Sequence, residues 1–571
     1  MPKLSPDGKL PHQEQKAALG MFRRWTVGYL QSFSLTGLLI GTLFFAASLT
    51  PTLIPRNYLT QGVLSGCSAA TGYGIGFFLH WLWHYLELPV PKARFLLATK
   101  LVGAIACGMV GITFLWRAAE WQNSIRGLMK LDPVDTAHPL EVGAIAVLTF
   151  ILLVALARLF KMTLYFVSGL LKRFIPQRVS YVVGTLIAVL LFWSIGDGII
   201  FRYGLRVADS SFERLDALMP AETPQPTNPD KTGSAASLVR WQDLGRMGRS
   251  YIATGPSGAD IGSFTGKPAL DPIRVYVGMH SDESPQARAK LALAELKRVG
   301  GFDRSVLVII TPTGTGWVDE QAIDSIEFLH GGDIASVGTQ YSYLASWMSL
   351  LVEPGYGAEQ ARALFSEIYA YWHTLPADAR PRLYLFGLSL GALSSELSNE
   401  LFEVLGDPYH GALWAGPPFP SRIWNWVTRD RNPGSPAWLP QFRDGSYIRF
   451  TAQKNALDIP GAVWGPLRIV YLQYASDPIT FYDPHALYHE PDWMRTPRGP
   501  DVTPYLRWYP VVTFLQLTLD IAMATTSPMG YGHVYAAEHY IDAWMQVAGI
   551  QNWSPADIAR LKQRFIEMRT D

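Results

Sequence analysis

Residues 383–393 read Leu383-Tyr384-Leu385-Phe386-Gly387-Leu388-Ser389-Leu390-Gly391-Ala392-Leu393, and this stretch decides how the second half of the chain is interpreted. An apolar run is followed by the pattern Gly-x-Ser-x-Gly and by small residues that open a helix. In such a nucleophile elbow the serine lies on a sharp strand-to-helix turn, and glycines on either side let two backbones approach closely. The N-terminus of the following helix favours negative charge near the serine. The stretch therefore predicts Ser389 as a catalytic nucleophile.

Around the elbow, β-type runs alternate with helical patterns, which is typical of a mostly parallel sheet covered by helices on both faces. Leu393, Leu397 and Leu401 recur at helical spacing and predict one apolar face for the helix after Ser389. The other predicted strands are 273–279, 305–310, 334–340, 412–415, 447–451 and 467–474, and helices are predicted at 286–299 and 358–372.

A serine hydroxyl needs an adjacent base that a third group orients, and in this topology the acid and then the histidine follow the serine in the chain. Asp477 comes directly after the strand 467–474 and is the predicted acid, with Asp483 in reserve and an ordinary turn aspartate as the alternative reading of Asp477. His533 lies in a glycine-rich loop and is the predicted base. Three other histidines follow the serine but fit this role less well: His485, His489 and His539.

The oxyanion formed during acyl transfer needs preorganised donors. One predicted donor is the backbone N–H of Leu390, directly after the nucleophile. The second is expected from Thr313 or Gly314, in the loop that follows the strand 305–310. A phosphate-binding loop is the competing interpretation of these glycines, but no Gly-Lys-Ser/Thr follows, so we set it aside.

The first two hundred residues carry long apolar runs, and a membrane-spanning helix needs about 20 such residues. About five spans are predicted, at 29–49, 63–86, 95–116, 142–160 and 181–200. Four or six spans are the alternatives, because the second run is rich in glycine, serine and aromatic residues. We therefore expect an N-terminal all-α transmembrane domain over residues 1–205. A proline-rich linker at 206–250 and a catalytic domain at 251–571 follow it.

Five lysines and arginines lie before the first predicted span, two between the second and third, and five at the connection from the fourth to the fifth, against one and three in the alternate loops. By the positive-inside rule this distribution predicts a cytoplasmic N-terminus. An odd number of spans then places the catalytic domain outside the cytoplasm.

Composition excludes several other classes. Lys+Arg number 48 and Asp+Glu 47, so we do not expect a nucleic-acid partner. Cys67 and Cys107 both lie in apolar runs and offer neither a disulfide framework nor a zinc site. His80 and His84 have the spacing of a two-histidine metal or haem site. Because they lie among Trp81, Trp83 and Tyr85, we favour an interfacial aromatic belt, and we expect no metal and no cofactor.

Several short motifs together resemble the bacterial membrane-anchored branch of the α/β-hydrolase superfamily, in which a multi-helix region precedes the hydrolase domain. Besides the elbow, they are Thr313–Trp317, Gln340–Tyr343, Gly416–Pro418, Ser476–Ile479 and Gly532–Tyr535. The resemblance implies an α/β-hydrolase fold, the triad Ser389, Asp477 and His533, and an integral protein of a bacterial inner membrane. One departure is that no strand precedes His533, only the apolar run 510–524.

The expected function is that of an esterase- or lipase-type serine hydrolase acting on a lipid or cell-envelope ester next to the bilayer. The same triad would serve an extracytoplasmic acyltransferase. A third interpretation is a non-catalytic membrane transport or assembly component with a hydrolase-like binding domain. An aromatic-rich insertion at 423–426 and 438–439, and the run 510–524, are the segments that could cover the site.

Overall fold

The computed structural model of the chain describes residues 32–89, 93–194, 216, 223–344, 355–399 and 404–569. Its N-terminal part is helical. It consists of α1 (Leu35–Ser48), α2 (Tyr58–Tyr85), α3 (Ala93–Leu128), α4 (Pro139–Leu171) and α5 (Gln177–Trp193).

Within the described residues, three helices are long and apolar enough to cross a membrane: α2, α3 from Ala98 onward, and α4. The prediction of about five spans is therefore wrong for this part of the chain. Helix α1 has 14 residues and ends before Pro51, whose ring cannot continue a helix, and α5 has 17 residues. Residues 29–31 and 195–200, which the prediction gave to the first and fifth spans, lie outside the described residues.

Glycines let the N-terminal helices pack closely, as small residues do in membrane helix pairs. A Cβ atom on Gly76 of α2 would lie 2.8 Å from the Cα of Gly37 in α1. A Cβ on Gly66 of α2 would lie 2.6 Å from the carbonyl oxygen of Ala146 in α4. Helix α2 is therefore held at backbone distance from both neighbours.

The C-terminal part contains one seven-stranded sheet in the order β1-β3-β2-β4-β5-β7-β6, and every neighbouring pair is parallel. Its central strands are fully buried apolar runs because helices cover both faces of a parallel sheet. The strands are β1 (Ile273–Val277), β2 (Val306–Thr311), β3 (Ile334–Thr339), β4 (Arg382–Leu388), β5 (Gly411–Ala415), β6 (Ile448–Thr451) and β7 (Arg468–Leu472).

Ten helices of the described C-terminal residues surround this sheet. They are α6 (Gly245–Ala253), α7 (Gly258–Thr265), α8 (Pro285–Arg298), α9 (Glu320–Leu329), α10 (Tyr356–Thr374), α11 (Leu390–Glu396), α12 (Arg422–Arg429), α13 (Val512–Ala522), α14 (Ala537–Val547) and α15 (Pro555–Glu567).

The predicted strands correspond to β1, β2, β3, β5, β6 and β7, with ends that differ by up to two residues, and the elbow joins β4 to α11. The predicted mostly parallel sheet covered by helices is thus confirmed. Helix α11 is shorter than its leucine spacing suggested, since it ends at Glu396 and Leu401 lies outside the described residues. Within the predicted linker, Val239, Trp241 and Leu244 are buried in the hydrophobic core.

The N-terminal helices and the sheet domain meet at helix α13. The guanidinium Nε of Arg56, in the turn between α1 and α2, lies 3.2 Å from Oδ1 of Asp520, and both side chains are fully buried. The Leu53 N–H donates to Oδ2 of the same carboxylate. Gln516, one turn earlier in α13, donates to the carbonyl oxygen of Thr50. The two parts are therefore joined by buried polar contacts and not by the chain connection alone.

Candidate active site

Ser389 lies at the junction of β4 and α11 in a strained backbone conformation, with φ 58° and ψ −126°. A non-glycine residue with positive φ is uncommon, and such strain persists only where the surroundings enforce it. The Ser389 N–H donates to the carbonyl of Ala415 at the end of β5, 2.9 Å away, which holds the turn against the neighbouring strand.

The two glycines of the elbow are required by close backbone contacts. A Cβ on Gly387 would lie 2.4 Å from the carbonyl carbon of Gly391, and one on Gly391 would lie 2.2 Å from the carbonyl oxygen of Thr311. The first contact lets α11 fold back over β4, and the second lets the loop after β2 cover the start of α11. The local sequence pattern therefore has the steric basis that the elbow requires.

Asp477 and His533, which are far apart in sequence, form a buried pair. Asp477 follows β7, its carboxylate is fully buried, and its Oδ2 lies 2.7 Å from Nδ1 of His533. The Ile479 N–H donates to Oδ1 over 2.8 Å. The carboxylate thus holds one ring nitrogen of the histidine in place, as the orienting acid of a catalytic triad does.

Two hydroxyl groups also donate to the Asp477 carboxylate. The Tyr535 hydroxyl lies 2.7 Å from Oδ2, and the Thr480 hydroxyl lies 3.2 Å from the same atom. Burial and the adjacent carboxylate raise the pKa of Tyr535 well above its ordinary value, so this group remains a proton donor. Together with the imidazole and the Ile479 N–H, these hydroxyls occupy both oxygens of the carboxylate and fix its orientation.

The His533 ring lies next to the end of β5, the strand whose last residue, Ala415, accepts the hydrogen bond from the Ser389 N–H. A Cβ on Gly416, the residue after Ala415, would lie 2.7 Å from Cε1 of His533 and 3.0 Å from its Nδ1. Nε2 of His533 is buried and has no hydrogen-bond partner among the described residues. This ring nitrogen is therefore available as an acceptor close to the elbow, and no serine–histidine hydrogen bond is present within the described part of the chain.

The loop after β2 lies against the elbow and is held by its own contacts. The Tyr276 hydroxyl donates to the carbonyl of Gly316 over 2.6 Å, and Gln340 donates to the carbonyl of Thr315. The Thr313 N–H donates to the carbonyl of Trp317 over 2.9 Å. That N–H is engaged inside the loop in this structure, and Thr313 as an oxyanion donor stays a prediction. Gly314 stays a prediction.

Leu390 is the first residue of α11, where the backbone N–H groups have no acceptor within the helix. Its side chain belongs to an apolar cluster with Leu393, Ile479, Ile521 and Ala524. The carbonyl of Ala524 in turn accepts from the His533 N–H over 3.3 Å. The segment at the end of α13 therefore contacts both the elbow helix and the histidine loop.

The reserve candidates have other partners. His485 pairs with Asp483 on the surface at 2.8 Å, and Nδ1 of His539 lies 2.6 Å from the Tyr474 hydroxyl. Burial lowers the pKa of His539 to about 4. His489 is exposed. None of these four residues contacts the Asp477–His533 pair through a hydrogen bond in the described structure.

No group of three or more histidine, cysteine, aspartate or glutamate side chains that could hold a metal ion occurs in the described ranges of the chain. His80 and His84 contact each other edge-to-face at 4.6 Å between ring centroids. Trp81 next to them stacks on Tyr85. These exposed rings fit the interfacial aromatic belt that we favoured.

Two buried groups near the histidine were not predicted from the sequence. Tyr535 ends the Gly532–Tyr535 motif, and its position two residues after His533 is the signal in the sequence that could identify it. Asp319 interacts electrostatically with His533 and accepts from the Tyr540 hydroxyl over 2.8 Å, and burial raises its pKa to about 7. A lone aspartate that caps a helix offers no such signal in sequence.

Comparison with known proteins gives two matches. The family model described as "Alpha/beta-hydrolase family" matches residues 273–561, which is half of the chain, and the model described as "Alpha/beta-hydrolase family N-terminus" matches residues 49–256. No curated protein and no solved structure matches the chain. The first match spans the sheet and all three residues of the predicted triad.

Proposed function

This chain belongs to the alpha/beta-hydrolase family, and on that basis we propose that it is a membrane-anchored serine hydrolase of the esterase or lipase type. Ser389 is the nucleophile, His533 the general base and acid, and Asp477 the group that orients the imidazole. The observation that supports this most directly is a strained serine at an elbow beside a buried histidine–aspartate pair.

In the proposed reaction, Oγ of Ser389 attacks the ester carbonyl while Nε2 of His533 accepts its proton. The Asp477 carboxylate stabilises the imidazolium and keeps Nδ1 protonated. The Leu390 N–H donates to the oxyanion, a contribution whose loss typically costs about 10²–10³ in rate. The imidazolium then protonates the leaving alkoxide, and a water molecule activated by His533 releases the acyl group from Ser389.

The location of the domain favours a lipid or another ester of the cell envelope as substrate. Two short turns of the N-terminal part contact the sheet domain. The turn after α1, which contains Arg56, does so through the buried Leu53, and the turn after α3 does so through the buried Met129. We propose that the catalytic domain lies outside the cytoplasm, as the overall distribution of lysine and arginine in the sequence predicts. An inner-membrane location in a bacterium is part of this proposal.

The first experiment is labelling with a fluorophosphonate probe, which reacts with activated serines. Wild-type protein in detergent should be labelled, Ser389→Ala should not, and Ser394→Ala, one turn further along α11, serves as the matched control and should retain labelling. Labelling of Ser389→Ala, or none of the wild type, would refute the proposed nucleophile.

The second experiment addresses substrate and topology. Lipid and glycan-ester profiles of cells that carry the wild type or Ser389→Ala at equal expression should differ in one ester class. A periplasmic reporter enzyme fused to the C-terminus should be active, whereas a cytoplasmic reporter at the same position should not. The opposite reporter pattern would reverse the proposed orientation.

A further inference from the structure

A large cavity lies beside the proposed triad, between α12 and residues 480–493, with a volume of about 890 Å³. Thr480 lines it and also donates to the Asp477 carboxylate over 3.2 Å. Phe419 and Tyr482 line it as well, and both pack against the apolar cluster around Leu390. The cavity and the candidate active site therefore share a wall.

The inner lining of the cavity is aromatic. The rings of Trp424, Phe481 and Trp493 follow one another with 6.0 Å between successive centroids, and Phe419 meets Tyr482 edge-to-face at 4.9 Å. Aromatic faces of this kind accommodate an apolar chain or a planar group. Trp424 is fixed by its hydrogen bond to Gln473, so this lining is preformed.

The rim of the cavity carries three arginines, Arg422, Arg429 and Arg431, together with the aspartates Asp483 and Asp492. Arg422 and Arg429 lie on one face of α12, two turns or about 10 Å apart along the helix axis. Both arginines are exposed, and neither has a carboxylate within ion-pair distance among the described residues. Arg431 also lines the cavity; it donates to the carbonyls of Ser435 and Thr428 and lies 3.7 Å from the Asp492 carboxylate. Arginine binds carboxylate and phosphate groups with two parallel hydrogen bonds.

Two buried donors in the lining are unsatisfied. Nε1 of Trp493 and Oγ1 of Thr428 have no hydrogen-bond partner among the described residues, although these residues are only 6% and 8% exposed. Buried polar groups are normally hydrogen-bonded, and an unmade bond carries a desolvation penalty. Donors without acceptors, beside two arginines that lack a carboxylate partner among the described residues, suit a ligand that brings oxygen acceptors and negative charge.

We propose that this cavity binds an anionic oxygen group of the substrate, a carboxylate or a phosphate, and that the enzyme therefore prefers anionic amphiphilic esters. The inference rests on the proposed function, because it assigns the substrate of the same site. The aromatic lining takes the apolar part of the molecule, while Arg422 and Arg429 bind its charge.

The test compares chromogenic esters that differ only in charge. One series carries the charge on the acyl chain. It consists of 4-nitrophenyl esters with acyl chains of equal length that end in a methyl, carboxylate or phosphonate group. The other carries it on the alcohol: 7-butyryloxycoumarin with and without a 3-carboxylate. The wild type, Arg422→Gln/Arg429→Gln and the control Arg362→Gln, an exposed arginine on α10 away from the cavity, are assayed with both series.

In at least one series, the wild type should have a higher kcat/KM for the anionic ester than for the neutral one. In the double variant, the ratio of these two kcat/KM values should be about 10-fold lower. The control Arg362→Gln should keep it, and Arg422→Lys/Arg429→Lys should restore most of it. Trp493→Phe, which removes the indole donor, should reduce the same ratio. The carboxylate and phosphonate arms distinguish the two oxyanions.

Equal ratios for the wild type and the double variant in both series would overturn the inference while leaving the hydrolase intact. No turnover of any ester by the wild type would refute the proposed function, and the inference with it. If Arg362→Gln also loses the preference for the anionic ester, the inference is overturned, since a general effect of protein charge would then explain the preference.

Discussion

Replacing Arg56 by leucine should destabilise the junction between the N-terminal helices and the sheet domain. The Arg56 Nε–Asp520 Oδ1 contact of 3.2 Å is fully buried, so its loss leaves an unpaired carboxylate in the interior. Removal of one partner of a buried pair typically costs about 3–5 kcal/mol. With about 2.1 cal/mol/K of unfolding entropy per residue and a cooperative unit of roughly 300 residues, this corresponds to a Tm decrease of about 5–8 °C.

The pH dependence of this loss has a defined sign. Burial already raises the pKa of Asp520, and removal of the cation raises it further. The folded variant can therefore relieve the penalty by binding a proton at low pH, whereas at higher pH it must bury a charge. The difference in Tm between wild type and Arg56→Leu should grow as the pH rises from about 5 to 8.

Thermal unfolding in detergent, followed by tryptophan fluorescence, measures the effect. Arg117→Leu is the matched control because Arg117 forms an exposed pair with Glu120 on α3, and its Tm should stay within error of the wild type. Arg56→Leu/Asp520→Leu should recover most of the loss. The reasoning is refuted if Arg56→Leu shifts Tm no more than the control does, or if the double variant is as unstable as the single one.

Three further predictions concern the site. Tyr535→Phe removes a hydroxyl donor from the Asp477 carboxylate, which then stabilises the imidazolium of His533 more strongly. We expect kcat/KM at pH 7 to fall about 3- to 10-fold, and the acidic limb of the pH profile of kcat/KM to move to higher pH. An acidic limb at the wild-type position would contradict this role for Tyr535. Burial raises the pKa of Glu396 to about 8, so ionisation of this carboxyl destabilises the folded state increasingly from about pH 4.5 to 8. The stability advantage of Glu396→Gln over the wild type should grow across that pH range, to at most a few kcal/mol, and should stay constant at higher pH. Thermal melting at a series of pH values measures this difference. Gly391→Ala would place a methyl group 2.2 Å from the Thr311 carbonyl oxygen. It should abolish labelling by the fluorophosphonate probe and lower the free energy of unfolding by about 1–3 kcal/mol. Gly406→Ala, which has open space around the new methyl group, should change neither the labelling nor the stability.

The elements of the sheet domain could be predicted because their signals are local. Buried strands such as β2 and β4 are short apolar runs, and the elbow is defined by residue types within five positions of one another. Their periodicity reports directly on which side chains face the core. The order of serine, acid and histidine also follows from the chain.

The number of membrane spans was less predictable. Residues 29–49 satisfy the composition of a span, yet the helix there ends at Ser48, before Pro51, and its turn is bound by Gln516 and Asp520. Average hydrophobicity does not distinguish a run in lipid from one that packs against another part of the same protein.

By itself, the sequence determined the parallel sheet and the elbow at Ser389, and it singled out Asp477 and His533 as candidates, since each depends on neighbouring residue types or on chain order. Only the tertiary structure decided that Tyr535 donates to Asp477, that the Thr313 N–H is occupied and that Arg56 meets Asp520 across 464 positions of sequence. The physical reason is that a hydrogen bond or ion pair depends on distances of a few ångströms. Such distances are set by how whole elements pack, and the spacing of residues along the chain does not encode them.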